Sequence, residues 1–215
     1  MQASVPPSAL FSGPVLAAPR TVVAHAGHVT AQQRQELLSQ RAVTVWFTGL
    51  SGAGKSTMAY ELEHRLHDLG LVSFVLDGDN LRHKLNSDLG FAPCDRTENI
   101  RRVAEVASLM NEAGLIVFAA LISPYRADRE MARTIIGPSR FLEVHVCTPL
   151  HVCEGRDPKG LYDRARTGLI PQFTGISAPY ETPLNPVFSI DTGRLSLEEA
   201  VTQMLDVLQL KECAA

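Results

Sequence analysis

Five short stretches of the chain are apolar and rich in β-branched or aromatic residues: Val43 to Phe47, Val72 to Leu76, Leu115 to Ile122, Phe141 to Cys147 and Val187 to Ile190. They are near-continuous rather than alternating, so each reads as a strand buried on both faces. Between them, apolar positions recur at helical spacing. Met58, Leu62, Leu66 and Leu69 form one such stripe, closed by Gly70, a residue suited to the left-handed turn after a helix. Ile100, Val103, Ala107 and Met110 form another. Buried strands separated by amphipathic helices predict the α/β class, with a doubly wound parallel five-stranded sheet in a single domain. Ahead of the first strand, Thr30 to Gln40 predicts a short polar helix capped by Thr30, with Leu37 and Leu38 to bury.

In such sheets ligands bind beyond the carboxyl ends of the strands, which directs attention to the segments that follow them. Directly after Val43 to Phe47, the residues Gly49 to Thr57 match G-x-x-x-x-G-K-[ST]. A phosphate-binding loop (P-loop) needs glycines so that consecutive backbone N–H groups can turn toward the anion, a lysine for the β/γ-phosphates and a hydroxyl for Mg²⁺. Gly49, Ser51, Gly52, Ala53, Gly54, Lys55, Ser56 and Thr57 are therefore the expected ATP-binding group, and the fold is expected to be of the P-loop nucleoside-triphosphate hydrolase type.

The second strand runs into Asp77-Gly78-Asp79-Asn80-Leu81-Arg82. Alone, this string could be a simple turn in which Asp79 caps the next helix. Beside a phosphate loop, the same carboxylates suit Mg²⁺ binding, with Ser56 and Asp77 as candidate metal contacts, or acceptance of a hydroxyl proton by Asp79 or Asp77; which carboxylate takes which role stays open. Further on, Asp95 to Arg102 predicts a helix start, with Asp95 as N-cap and Glu98 completing a capping box. Helical spacing turns Arg96 and Asn99 toward the apolar face and the sheet edge, while Arg101 and Arg102 point elsewhere.

Composition narrows the function. The chain has 215 residues, is 45% hydrophobic and carries a net charge of -3, a balance that argues against a general nucleic-acid binder. An anionic substrate must then be met by a local cluster of arginines and lysines. No apolar span is long enough for a transmembrane helix, so no membrane partner is expected. The first nineteen residues hold no charged side chain and have prolines at 6, 7, 14 and 19, unlike a signal peptide. Residues 1–24 are expected to form a disordered tail, 25–42 a helical extension and 43–212 the catalytic domain. Cys94, Cys147, Cys153 and Cys213 show no C-x-x-C spacing, which suits free thiols in a reducing cytoplasm. The seven histidines offer no pair with metal-ligand spacing.

From about His25 onward the chain resembles the adenylyl-sulfate kinases. The resemblance rests on the phosphate loop, D-G-D-N-x-R at Asp77 to Arg82, L-N-x-D-L-G-F at Leu85 to Phe91, and D-R-x-E-N-I-R-R at Asp95 to Arg102. It continues through I-S-P-Y-x-x-D-R at Ile122 to Arg129, C-E-x-R-D-P-K-G-L-Y at Cys153 to Tyr162, F-T-G-I at Phe173 to Ile176 and P-Y-E-x-P at Pro179 to Pro183. It implies phosphorylation of the 3′-hydroxyl of adenosine 5′-phosphosulfate (APS) by MgATP, giving 3′-phosphoadenosine 5′-phosphosulfate (PAPS) and ADP. Carried over by matching position, Asp79, Arg82, Phe91, Arg96, Asn99, Ile122, Ser123, Lys159, Phe173, Thr174 and Gly175 hold the APS. Phe91 and Phe173 then sandwich its adenine, and Arg82, Arg96 and Lys159 meet its sulfate and phosphate.

Lys55, Asp77, Asp79 and Ser123 are the candidate catalytic residues. Ser123 matches the family serine described as a phosphoryl-enzyme intermediate, yet direct in-line transfer needs only positioning and charge neutralisation, which favours Ser123 as a substrate contact. Residues from about 156 to 176 read as a lid, with a helix across Leu161 to Thr167 as the plainer alternative. The resemblance also implies a homodimer and a functional link to an ATP sulfurylase. Lys84, Ala92, Cys94, Leu169 and Gln172 depart from the family pattern. Two other readings stay open: a P-loop kinase of another small-molecule acceptor, and a non-catalytic nucleotide-binding regulatory module, although the latter lose phosphate-loop residues and this chain keeps Lys55 and Ser56.

Overall fold

The computed structural model of the protein describes residues 25 and 27–208. The expected tail over 1–24, position 26 of the expected extension and positions 209–212 of the expected domain lie outside the described residues. The apolar runs become five strands: β1 (Thr44–Thr48), β2 (Ser73–Asp77), β3 (Ile116–Ala120), β4 (Phe141–Val146) and β5 (Phe188–Ile190). Every pairing is parallel and the order is β2-β3-β1-β4-β5. β1 and β3 are buried at every position, which is why their sequences do not alternate.

Helices cover both faces: α1 (Ala31–Leu38), α2 (Lys55–Asp68), α3 (Gly78–Arg82), α4 (Pro93–Glu112), α5 (Arg126–Ile136), α6 (Leu150–Arg156), α7 (Leu161–Arg166) and α8 (Leu197–Leu208). Successive side chains of a strand point to opposite faces, so Phe47 and Trp46 seed different cores. Phe47 packs with Met58, Leu62 and Leu66 of α2 and with Met204 of α8. Trp46 packs with Ile100, Val103 and Ala107 of α4 and with Ala132 of α5. Among the described residues, no helix is long and apolar enough to cross a membrane.

Three local expectations are corrected. Asp95 is not the N-cap of its helix: α4 starts at Pro93 after Ala92, whose φ is −60° and ψ 155°. Proline fixes its own φ for a first helical position and holds the residue before it extended, so it sets the N-cap three residues earlier, at Ala92. The Asp95 carboxylate instead accepts from the Gly90 N–H at 3.1 Å, and Glu98 pairs with Arg101 and Arg102. The stripe of α2 ends at Leu66, because Leu69 is 54% exposed at the C-cap just before left-handed Gly70. Leu37 is 84% exposed and no residue of α1 is fully buried, leaving Leu38 half-buried as its apolar contact.

What fixes the approach to β1 is polar. α1 has the full capping box between Thr30 and Gln33, and the side chain of Gln35 accepts from the Ala42 N–H at 2.8 Å. Gln40, 4% exposed, donates to the carbonyls of Val72 and Gly114, both at 2.8 Å, and accepts from the Val72 N–H at 2.7 Å. One amide therefore satisfies backbone groups just ahead of β2 and β3. Gln40→Ala is expected to lower the unfolding free energy by about 2–4 kcal/mol, the scale of buried backbone groups left unpaired. The measurement is a urea titration, read as a lower midpoint at unchanged slope. An unchanged midpoint would show that the amide adds nothing to stability.

Candidate active site

The phosphate loop follows β1 and is shaped by close approach. Gly49 has φ +150°, and a Cβ there would lie 2.4 Å from the Val146 carbonyl oxygen. Gly52 has φ +73°, and its Cβ would meet the Cys153 carbonyl oxygen at 2.9 Å. Any side chain at either position would push the loop off β4 or α6. Among the described residues, the N–H groups of Gly52, Gly54, Lys55 and Ser56 find no protein acceptor. They form a concave set of donors at the positive end of α2, a ready anion site.

Lys55 is 8% exposed and its Nζ donates to the carbonyls of Gly49 at 2.9 Å and Leu50 at 2.7 Å. Burial pulls its pKa down to about 8, against the opposing pull of Cys153, Asp79 and Asp77. The Ser56 hydroxyl donates to Asp77 Oδ2 at 2.6 Å. Ser51, Gly52, Ala53 and Gly54 form the loop itself, and Thr57 is exposed at the rim of the cavity.

The two carboxylates after β2 divide their work. Asp77 Oδ1 accepts from the N–H groups of Asp79 and Asn80 at 3.1 Å each and is the N-cap of α3. Asp77, not Asp79, is therefore the capping residue. Asp79 Oδ2 is in contact with Lys159 Nζ, from the turn between α6 and α7, and both side chains are more than half exposed.

The acceptor candidates gather on the β2–β3 side of the same opening. Arg82 lies over the Phe91 ring at 4.4 Å and donates to the carbonyls of Leu89 and Gly90. Arg96 donates to the Phe91 and Gln172 carbonyls at 2.9 and 2.8 Å and to Thr174 Oγ1 at 2.8 Å, joining α4 to the segment that carries Phe173 and Gly175. Asn99 is 4% exposed and its Oδ1 accepts from Asn86 Nδ2 at 3.0 Å. Phe91 is 62% exposed, whereas Phe173 is 7% exposed with its ring edge-on to Tyr162 at 5.0 Å. Ile122 follows β3, and its carbonyl accepts from Thr48 Oγ1 at 2.7 Å.

Apart from Gly49, Ala53 and Gly175, every residue named as a site candidate lines one cavity of about 960 Å³. Gly49 and Ala53 are phosphate-loop residues that do not line it, and Gly175, φ +91°, is in a bend where a Cβ would press on Leu50 at 3.0 Å. The volume is at the upper end of small-molecule sites, enough for a donor and an acceptor side by side.

Three residues at this site escaped the sequence reading. Arg156 donates to the Gly52 carbonyl at 3.3 Å and to Thr192 Oγ1 and O at 2.8 and 2.7 Å, and Thr192 Oγ1 donates to the Ala53 carbonyl at 2.8 Å. Asn86 orients Asn99. Arg156 and Asn86 lie within two of the quoted motifs, and Thr192 stands just past β5, where the strand-end rule applies.

The sequence model of the adenylylsulphate kinase family matches residues 41–191. The chain belongs to the adenylyl-sulfate kinase family. It is 56% identical to the adenylyl-sulfate kinase of Vibrio cholerae over 192 residues, 89% of each chain. It is similar in structure to the APS kinase CysC of Mycobacterium tuberculosis in complex with AMPPNP and APS, with TM-score 0.77 and 47% identity over 79% of this chain and 99% of that one. A hexameric APS kinase from Thiobacillus denitrificans has TM-score 0.62 and 35% identity, covering 82% of this chain and 30% of that one.

Within the adenylyl-sulfate kinase family, the departures noted in sequence are mostly peripheral. Lys84 is exposed and lies outside the cavity. Gln172 adopts φ +55° and presents its carbonyl to Arg96. Ser123, 2% exposed, accepts at Oγ from Trp46 Nε1 at 3.1 Å, and among the described residues no histidine or carboxylate is hydrogen-bonded to it. A serine nucleophile needs such a base.

The lowered pKa of Lys55 has a measurable consequence. In the free protein the ammonium is lost as pH rises through about 8, whereas a bound triphosphate favours the charged form. ATP binding is expected to take up protons near that pH and to weaken as pH rises further. Calorimetry in buffers of differing ionisation enthalpy measures the uptake; buffer-independent enthalpy just above that pH would show that Lys55 stays charged throughout.

Proposed function

We propose that the chain is an adenylyl-sulfate kinase in activity as well as in family, transferring the γ-phosphoryl group of ATP to the 3′-hydroxyl of APS. The observation that carries the reading is a phosphate loop with Lys55 and Ser56 intact, opening into the same cavity as Arg82, Arg96, Asn99 and Lys159. One end of the cavity offers N–H donors for a triphosphate, and the other offers cations and aromatic rings for an adenylyl sulfate.

In the reaction, the 3′-oxygen of APS attacks the γ-phosphorus in line, the bond from that phosphorus to the β,γ-bridging oxygen breaks, and the hydroxyl proton goes to Asp79. Lys55 and the loop N–H groups meet the charge that builds on the phosphate oxygens. Ser56 Oγ and Asp77 Oδ2, hard oxygen donors 2.6 Å apart, fit Mg²⁺. Among the described residues there is no cluster of three or more metal-binding side chains, so Ser56 and Asp77 are the residues that would hold such an ion. Mg²⁺ held there would supply charge neutralisation to the triphosphate.

Phe91 and Phe173 are assigned to the APS adenine, and Ile122, Ser123 and Thr174, with the adjoining Gly175, to the remaining APS contacts. Residues from about 156 to 176 act as a lid rooted by Tyr162, which donates to the Ser51 carbonyl at 2.9 Å. The lid excludes water, the competing acceptor. The free thiols of Cys94, Cys147 and Cys153 suit a cytoplasmic enzyme, and the family resemblance extends the proposal to a homodimer supplied by an ATP sulfurylase.

Purified protein with MgATP is expected to convert APS to PAPS, followed by nucleotide chromatography. AMP, adenosine and shikimate serve as competing acceptors. Phosphorylation of any of them at comparable kcat/KM would overturn the acceptor assignment.

A second measurement separates the carboxylates. Asp79→Asn is expected to lower kcat by about a hundredfold or more, the scale of a lost general base, with little change in Mg²⁺ dependence. Asp77→Asn is expected to raise the Mg²⁺ requirement. Exchange of the two phenotypes would exchange the roles.

A further inference from the structure

The sequence motif that ends at Arg129 left that residue without a role, and it does not line the cavity. Its side chain is 3% exposed. Nε donates to Glu143 Oε1 on β4 at 2.6 Å, Nη1 to the Ser123 carbonyl at 2.7 Å and Nη2 to the Glu181 carbonyl at 2.7 Å. A planar guanidinium can serve three acceptors in fixed directions at once, which an ammonium cannot.

One of those acceptors, Ser123, lines the cavity, and a second, Glu181, lies on the segment that follows the Phe173 to Gly175 wall. Ser123 has φ +39°, a left-handed conformation that is unfavourable for a residue with a Cβ and persists only where the surroundings impose it. The surroundings are Trp46 Nε1 on its hydroxyl at 3.1 Å, Thr48 Oγ1 on its carbonyl at 3.3 Å and Arg129 on the same carbonyl. Glu181 lies in the run that continues from Phe173 to Gly175, and its N–H donates to the Pro124 carbonyl at 2.9 Å. Arg129 thereby ties the loop after β3 to the segment bearing Phe173.

We propose that Arg129, anchored by Glu143, is a positioning residue for the APS site that holds Ser123 in its left-handed conformation. The inference rests on the proposed kinase reading for what the site binds, but the positioning itself has a readout that needs no substrate. Trp46 is the single tryptophan of the chain and its indole N–H is bonded to Ser123.

The test is Arg129→Lys, with Glu143→Gln as the milder variant should the first not fold, judged by far-ultraviolet circular dichroism. In ligand-free protein the Trp46 emission is expected to move toward that of Ser123→Ala, where the indole has lost its acceptor. The KM for APS is expected to rise about tenfold, the scale of one charged hydrogen bond, with the KM for ATP changing less than about twofold by the same measure. The decisive comparison uses two backgrounds. In Ser123→Ala the backbone strain remains and the Arg129→Lys effect on the APS KM should persist. In Ser123→Gly a positive φ is tolerated without restraint, and the effect should shrink to about threefold or less. Equal effects in both backgrounds, a parallel rise in both KM values or an unchanged Trp46 emission would each overturn the inference. An inactive wild-type protein whose Trp46 emission still responds to Arg129→Lys would instead count against the kinase reading alone.

Discussion

A backbone that turns its N–H groups toward an anion must turn carbonyls the other way, and those carbonyls have to be satisfied. That constraint organises this molecule. The carbonyls of Gly49 and Leu50 are taken by Lys55, that of Ser51 by Tyr162, that of Gly52 by Arg156, and that of Ala53 by Thr148 and Thr192. The donors come from α2, α6, α7 and the ends of β4 and β5, so a short loop recruits much of the carboxyl edge of the sheet. Packing adds the second restraint, because the Val146 and Cys153 carbonyls leave no room for a Cβ at Gly49 or Gly52. The loop is thus held open before any ligand arrives.

Under the proposed reaction, the strand order separates the donor side of the site from the acceptor side. β1 is central, with β3 and β2 to one side and β4 and β5 to the other. The β4–β5 side contributes Thr148, Arg156 and Thr192 to the back of the phosphate loop. The β3–β2 side contributes Asp77, Asp79, Ser123 and, through α4, Arg96 and Asn99. The two halves meet where Ser56 touches Asp77. A doubly wound sheet places this junction at its switch point without dedicated structure.

What was legible in the sequence was local or periodic. The phosphate loop spans a single turn and announces itself by spacing, and the buried strands by unbroken apolar runs. Caps were less legible where two candidates compete: Pro93 outranks Asp95 because a fixed φ restricts the backbone more than a carboxylate does. Asp77 outranks Asp79 because only its backbone is extended at the end of β2. The Arg156 and Thr192 contacts were not legible at all. They join positions 104 and 36 residues apart, and no local pattern encodes a hydrogen bond across that separation. The same holds for Arg129, whose three acceptors lie on three segments.

The net charge of -3 looks unsuited to polyanionic nucleotides, yet cations are concentrated at the cavity, and Lys55, Arg82, Arg96 and Lys159 each rest on protein acceptors. Lys55 rests on two carbonyls, Arg82 on the Leu89 and Gly90 carbonyls, Arg96 on Phe91, Gln172 and Thr174, and Lys159 on Asp79. For an anionic ligand, binding is then an exchange of acceptors, and the side chains need not be ordered anew. The contacts differ in how readily they exchange. An exposed ion pair such as Lys159 with Asp79 contributes only about 0–1 kcal/mol, less than the roughly 1.5–3 kcal/mol of a hydrogen bond to a charged group. Arg96, by contrast, is committed through all three nitrogens of its guanidinium. In the proposed reaction, Lys159 is therefore the one of the two that would exchange Asp79 for an incoming sulfate or phosphate, uncovering the carboxylate to which the acceptor proton is assigned.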